Sequence, residues 1–222
     1  CPYFSAPTET YATQSFEMSF LEPAEVCPCA QALLGGPLQS ILVQHPAGWP
    51  SEPATAPVIV FHHGNGQSAE FYDFSALAAA GFVVLNVETG SGGAATFGLL
   101  CALELARSEM LVPESSATWG DATDCNAMIT GHSVGAESAG NLLAGGLESD
   151  VIETLSYLSR PYAIRGGMLL APELRETSLV GGPVPLLIVP TPTDEDIGPD
   201  AITRYDRAPL EVEFSPSELG RA

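Results

Sequence analysis

Four apolar runs limit what this chain can become. They are Val58-Ile59-Val60-Phe61, Phe82-Val83-Val84-Leu85-Asn86-Val87, Gly167-Met168-Leu169-Leu170-Ala171 and Pro185-Leu186-Leu187-Ile188-Val189. A strand with one wet face alternates apolar and polar residues, whereas a strand covered on both faces reads as a short continuous apolar stretch. Runs of the second kind require a parallel sheet with helices on either side. The intervening segments fit that demand. Phe74 to Ala80 has helical spacing and is stopped by Gly81, Phe97 to Met110 is amphipathic, and Ala136 to Leu143 continues as helix to Gly145-Gly146. Val151 to Leu158 reads as a further short helix, and Ala127 to Thr130 as a short strand. Phe16 to Phe20 and Gln39 to Gln44 are the first two strands, and Leu210 to Phe214 alternates like a last one. The recurring order of strand, loop and helix predicts an α/β fold, with a mostly parallel central sheet and helices on both faces. Right-handed crossovers then put the working loops at the carboxyl ends of the strands.

The 222 residues suit one such domain, with residues 1–38 as an irregular N-terminal arm that includes the first strand. No internal repeat interrupts it, and no apolar run approaches the roughly 20 residues of a membrane span. The formal net charge is −20, and all seven basic residues are arginine. Such a surface repels phosphate and excludes nucleic-acid binding. Self-repulsion favours a monomer. An acidic secreted protein and an adaptation to a salty habitat both fit this charge.

Five cysteines, at 1, 27, 29, 101 and 125, are many for a cytosolic protein of this size. The spacing Cys27-Pro28-Cys29 is wrong for zinc, and the histidines lie elsewhere. Two disulfides in an oxidising compartment are expected, most simply Cys101 with Cys125 and a second involving Cys27 or Cys29. A cysteine at position 1 reads either as the acylated first residue of a mature lipoprotein, giving a lipid anchor at Cys1, or as a start that fell on a cysteine. These features predict a secreted or cell-surface protein.

The chemistry centres on Met128-Ile129-Thr130-Gly131-His132-Ser133-Val134-Gly135-Ala136, a G-x-S-x-G pattern between a short apolar run and a helix start. A serine on a tight strand-to-helix turn sits at strained angles, and side chains two residues either side would collide, so glycine is required at 131 and 135. The helix that follows points free N–H groups towards the serine. About sixty residues earlier, the strand at 58–61 ends in His62-His63-Gly64-Asn65-Gly66. About sixty residues later, the strand at 185–189 runs into Pro190-Thr191-Pro192-Thr193-Asp194-Glu195-Asp196.

In this order the set resembles the α/β-hydrolase fold, from about residue 39 onward, and within it the secreted serine esterases: cutinase-like polyesterases, dienelactone hydrolases and chlorophyllase-like enzymes. The resemblance implies a lidless carboxylic ester hydrolase with no cofactor and no metal, acting on a small or polymeric ester. Ser133 would form the acyl-enzyme, and the backbone N–H groups of Val134 and Asn65 would receive the oxyanion. Asp194 would be the triad acid, with Glu195 and Asp196 as competitors. His132 would pack or hydrogen-bond beside the substrate, and Phe71 would touch it. Position 133 is serine, unlike the cysteine nucleophile of dienelactone hydrolases. Phe71, Tyr72 and Trp119 are core or cleft-wall candidates, and His45 is expected at the surface. His62 and His63, as neighbours on extended backbone, are expected to face opposite sides and to support the oxyanion loop.

The sequence departs from the family in one respect. The base should follow the acid, yet all four histidines precede Asp194, and no histidine loop appears after it. Three explanations stay open: a base outside this chain, a role taken over by His62 or His63, or a hydrolase relative without a base that binds a ligand in the old cleft.

Overall fold

The computed structural model describes residues 10–19, 38–49, 56–89, 98–99, 102, 127–143, 164–171 and 186–189. Their core is a seven-stranded sheet of β1 (Thr13–Ser19), β2 (Leu38–Pro46), β3 (Val58–His62), β4 (Val83–Thr89), β5 (Ala127–His132), β6 (Ile164–Leu170) and β7 (Leu186–Val189), in the spatial order β1-β2-β4-β3-β5-β6-β7. β2 is antiparallel to both neighbours, and every other pairing is parallel, so β2 alone runs against the rest. The apolar runs have become strands for the reason their composition suggested. All five positions of β3 are buried, and in β4 only Glu88 is partly exposed.

The strands β3, β4 and β5 form the centre. Leu85 is in register with Val43 of β2 and Val60 of β3, and all three side chains are fully buried. Alternation along β4 shows that both faces are covered. A Cβ on helical Gly98 would collide with the Thr89 side chain and approach that of Val87. Asn86 and Glu88, on the other face, bind the backbone of Ala69 instead. The helical residue Gly98 and the 3-10 turn Ala69–Phe71 therefore cover opposite faces of one strand. Beside the 3-10 turn, α1 (Ser75–Ala79) packs on β1, β2 and β4. Its first turn is tied to Asp73, whose carboxylate accepts the Ser75 N–H at 2.9 Å. It ends where Gly81 takes φ 90° and its N–H returns to the Ala78 carbonyl. The second described helix, α2 (Val134–Leu143), packs on β5, β6 and β3.

The strand order also locates a crevice. From β3 the chain passes to β4 on one side; from β5 it passes to β6 on the other. The connections leaving the carboxyl ends of β3 and β5 thus lead to opposite sides of the strand order, and ligands of open α/β sheets bind at such a switch point. His63-Gly64-Asn65 and Ser133 follow those two strand ends. His45, expected at the surface, is instead 6 % exposed. Its Nδ1 lies 2.8 Å from the Pro46 carbonyl and its ring sits 5.0 Å from that of Trp49, which folds over the end of β2. Burial lowers its pKa.

Leu85 tests the centre of this sheet. Leu85→Ala should cost about 2–5 kcal/mol of stability through lost burial and the cavity left between β2 and β3. Chemical denaturation at fixed pH measures it.

Candidate active site

Ser133 stands between β5 and α2 with φ 53°, a left-handed conformation that is rare for any residue but glycine. Holding a serine there costs on the order of 1–3 kcal/mol, so the surroundings must over-determine it. They do so through its own peptide groups. The Ser133 N–H donates to the Leu170 carbonyl on β6 at 2.9 Å, and its carbonyl accepts the N–H groups of Ala136 at 2.9 Å and Glu137 at 3.1 Å. Ser133 is the residue from which α2 starts, and Val134 is the first residue of that helix, where N–H groups lack intrahelical partners. Its side chain is half-buried at the crevice rather than lost in the core.

The glycines at 131 and 135 are both required by close approach. A Cβ on Gly131 would lie 2.3 Å from the Gly135 carbonyl oxygen. A Cβ on Gly135 would lie 2.2 Å from the carbonyl oxygen of His62 and 2.5 Å from that of His63. The first turn of α2 therefore rests directly on the backbone that ends β3. The same approach brings the two loops together, since a Cβ on Gly64 would lie 3.3 Å from Ser133 Cβ and 3.0 Å from His132 Nδ1. Asn65, one residue on, is exposed.

His132, Tyr72 and Gln67 meet beside this contact. His132 Nδ1 is 2.7 Å from the Tyr72 hydroxyl and 3.3 Å from Gln67 Oε1. The Tyr72 hydroxyl donates to Gln67 Oε1, which also accepts the Gly64 N–H at 3.2 Å. Burial raises the Tyr72 pKa, so its hydroxyl keeps its proton at neutral pH. The ring of Tyr72 packs on Phe61 at 4.7 Å, and Phe71 beside it is 71 % exposed at the rim. His132, adjacent to the serine in the chain, thus turns its Nδ1 to Tyr72 and Gln67.

His62 and His63 do not face opposite sides. Their rings stack at 4.8 Å with 20° between planes. The strand ends at His62, so the alternation that would separate their side chains stops there. His62 Nδ1 is 2.8 Å from the His63 carbonyl and must donate, because a carbonyl only accepts; Nε2 is 2.7 Å from Thr89 Oγ1, whose hydroxyl then donates to it. His62 is accordingly a neutral imidazole. Burial, reinforced by the neighbouring His63, lowers its pKa from 6.5 to about 4. His63 Nδ1 donates to the Gly64 carbonyl at 2.8 Å, and Nε2 lies 3.1 Å from Glu88 Oε1 without the geometry of a hydrogen bond. Both nitrogens of His62 and the Nδ1 of His63 are thus held in hydrogen bonds. Among the described residues no hydrogen bond joins any of the four histidines to the Ser133 hydroxyl.

Three residues that sequence reasoning passed over hold this arrangement. Asn86 Nδ2 donates to the Ala69 carbonyl at 2.6 Å, and Glu88 Oε2 accepts the Ala69 N–H at 2.8 Å, clamping one residue of the 3-10 turn from both sides. Thr89 satisfies His62. The signal was available: polar residues at the end of an otherwise apolar buried strand need partners. Among the described residues no group of three or more His, Cys, Asp or Glu could hold a metal ion. Asp194, its competitors Glu195 and Asp196, Trp119 and all five cysteines lie outside the described residues. No protein-family model matches this sequence, and no curated protein matches it.

Two measurements follow from this geometry. Gly135→Ala forces a methyl group against two backbone carbonyls and should cost about 1–3 kcal/mol or more, read from the denaturation midpoint. His62 binds a proton more readily unfolded than folded, so stability is full above pH 6.5 and falls as pH drops towards 4. The loss is on the order of 3 kcal/mol. His62→Gln should flatten that part of the stability profile; an unchanged slope between the two proteins would contradict the assignment.

Proposed function

We propose that this chain is a secreted serine hydrolase of the α/β-hydrolase fold that cleaves carboxylic esters through an acyl-enzyme on Ser133. The observation that carries the reading is a serine held at φ 53° where β5 turns into α2, against the loop that leaves β3. The sheet order, with a single reversed strand near one edge, supports the hydrolase assignment.

In this reading the Ser133 oxygen attacks the ester carbonyl carbon and its proton passes to a base. The oxyanion is received by the N–H groups of Val134 and Asn65, each worth about 2.7–4 kcal/mol to the transition state. The carbon–alkoxy bond breaks, the leaving oxygen takes the proton, and water then releases the acid. Asp194 is assigned as the triad acid. Phe71, exposed at the rim, is assigned to the substrate's apolar portion, with His132 on the serine's flank. The expected lidless cleft would suit a small ester or the end of a polymer, as in cutinase-like polyester hydrolases.

A second reading is a hydrolase-fold protein that binds a ligand without turning it over. It is favoured by one observation, that none of the four histidines hydrogen-bonds Ser133 among the described residues. A fluorophosphonate probe separates the two. Covalent labelling of the wild type, abolished in Ser133→Ala, is the expected result; an unlabelled wild type would leave the binding protein as the better account.

A further inference from the structure

Gly64 lies where three polar side chains converge, and their donors and acceptors can be counted. Gln67 Oε1 only accepts, and it faces the Gly64 N–H at 3.2 Å, the Tyr72 hydroxyl and His132 Nδ1 at 3.3 Å. The Tyr72 hydroxyl has one proton, and Gln67 takes it. The Tyr72 oxygen then accepts from its other neighbours, His132 Nδ1 at 2.7 Å and the Gly64 N–H at 3.4 Å. This count leaves His132 with its proton on Nδ1. The Gly64 N–H is shared between Gln67 and Tyr72, and Gln67 N–H closes the loop onto the Gly64 carbonyl at 3.2 Å.

We infer that Tyr72 and Gln67 are positioning residues that lock the loop after β3 to the serine corner and so set the direction of the Asn65 N–H. The inference rests on the hydrolase reading of Ser133, and it adds two residues which that reading does not require. Tyr72 suits the role because both ends of its side chain are held. Its ring lies against Phe61 at 4.7 Å and Phe74 at 6.1 Å, and Ala69, three residues before it, is clamped by Asn86 and Glu88. The hydroxyl therefore reaches His132 and Gln67 from a fixed base on β3 and β4. One peptide unit separates the anchored Gly64 N–H from the next amide. A small rotation at Gly64 would swing that amide away from a developing charge, and displacements of this size can cost about 100-fold in rate.

Tyr72→Phe removes the hydroxyl and keeps the ring. With a p-nitrophenyl ester it should lower kcat about 10- to 100-fold and leave KM within about twofold, since the ground state does not use the oxyanion donors. A merely structural role would instead lower the melting temperature without that split. Two readouts need no turnover. Nitrogen-15 NMR of the wild type should find the His132 proton on Nδ1. The Gly64 amide should exchange with solvent about 10-fold faster in Tyr72→Phe and Gln67→Met, and at the wild-type rate in Gln67→Glu, which keeps the acceptor oxygen. A His132 proton on Nε2, a wild-type kcat in Tyr72→Phe, or unchanged Gly64 exchange in Gln67→Met would each overturn the inference. If the wild type neither hydrolyses ester nor labels at Ser133, the hydrolase reading fails by itself, and the tautomer and exchange results decide the lock.

Discussion

A helix start resting on two carbonyl oxygens is the contact on which the rest of this structure depends. Gly135 brings the first turn of α2 against His62 and His63 at the end of β3, closer than any side chain would permit. Because β3 and β5 are parallel neighbours, that contact decides where the corner between β5 and α2 can lie. Ser133 then has little choice of conformation. Its N–H is taken by β6 and its carbonyl by α2, and the left-handed φ is the outcome. The strain is local, while the bonds that maintain it come from two different elements, β6 and α2.

The polar residues at the end of β4 do a second job on the other side of the same crevice. Asn86 is wholly buried among the valines and the leucine of β4, an expensive position unless its amide is used. Its Nδ2 group, with the Glu88 carboxylate, holds the peptide unit of Ala69, and that hold fixes the root of the segment carrying Phe71 and Tyr72. Thr89 occupies His62 from the opposite face. Asn86 and Glu88 on one face and Thr89 on the other thus organise both sides of the sheet at its carboxyl edge. The stacked histidines are absorbed by the same region. They support the backbone around Gly64 through the hydrogen bonds of both His62 nitrogens and of His63 Nδ1.

Much of this could be read from the residues alone, and the reasons are specific. Continuous apolar runs marked β3, β4, β6 and β7 because strands covered on both faces need no polar alternation. Gly131 and Gly135 marked the serine corner because only the absence of a side chain permits that approach. The failures had local causes. Strand alternation predicts opposite faces for His62 and His63, but the strand stops at His62. His45 was assigned to the surface from its place near a strand end, although Trp49 turns back to cover it.

By itself, the sequence determined the α/β class, the parallel centre of the sheet and the glycine-flanked corner at Ser133, since burial pattern and backbone sterics act over a few residues. Only the tertiary structure decided the strand order, the opposed loops after β3 and β5, and the company that Ser133 keeps. Gly64, Gln67, Tyr72 and His132 are separated by as many as 68 positions between Gly64 and His132, and a hydrogen bond between them leaves no trace in local composition. Such bonds depend on where strands lie side by side, and that is settled by the packing of the whole sheet.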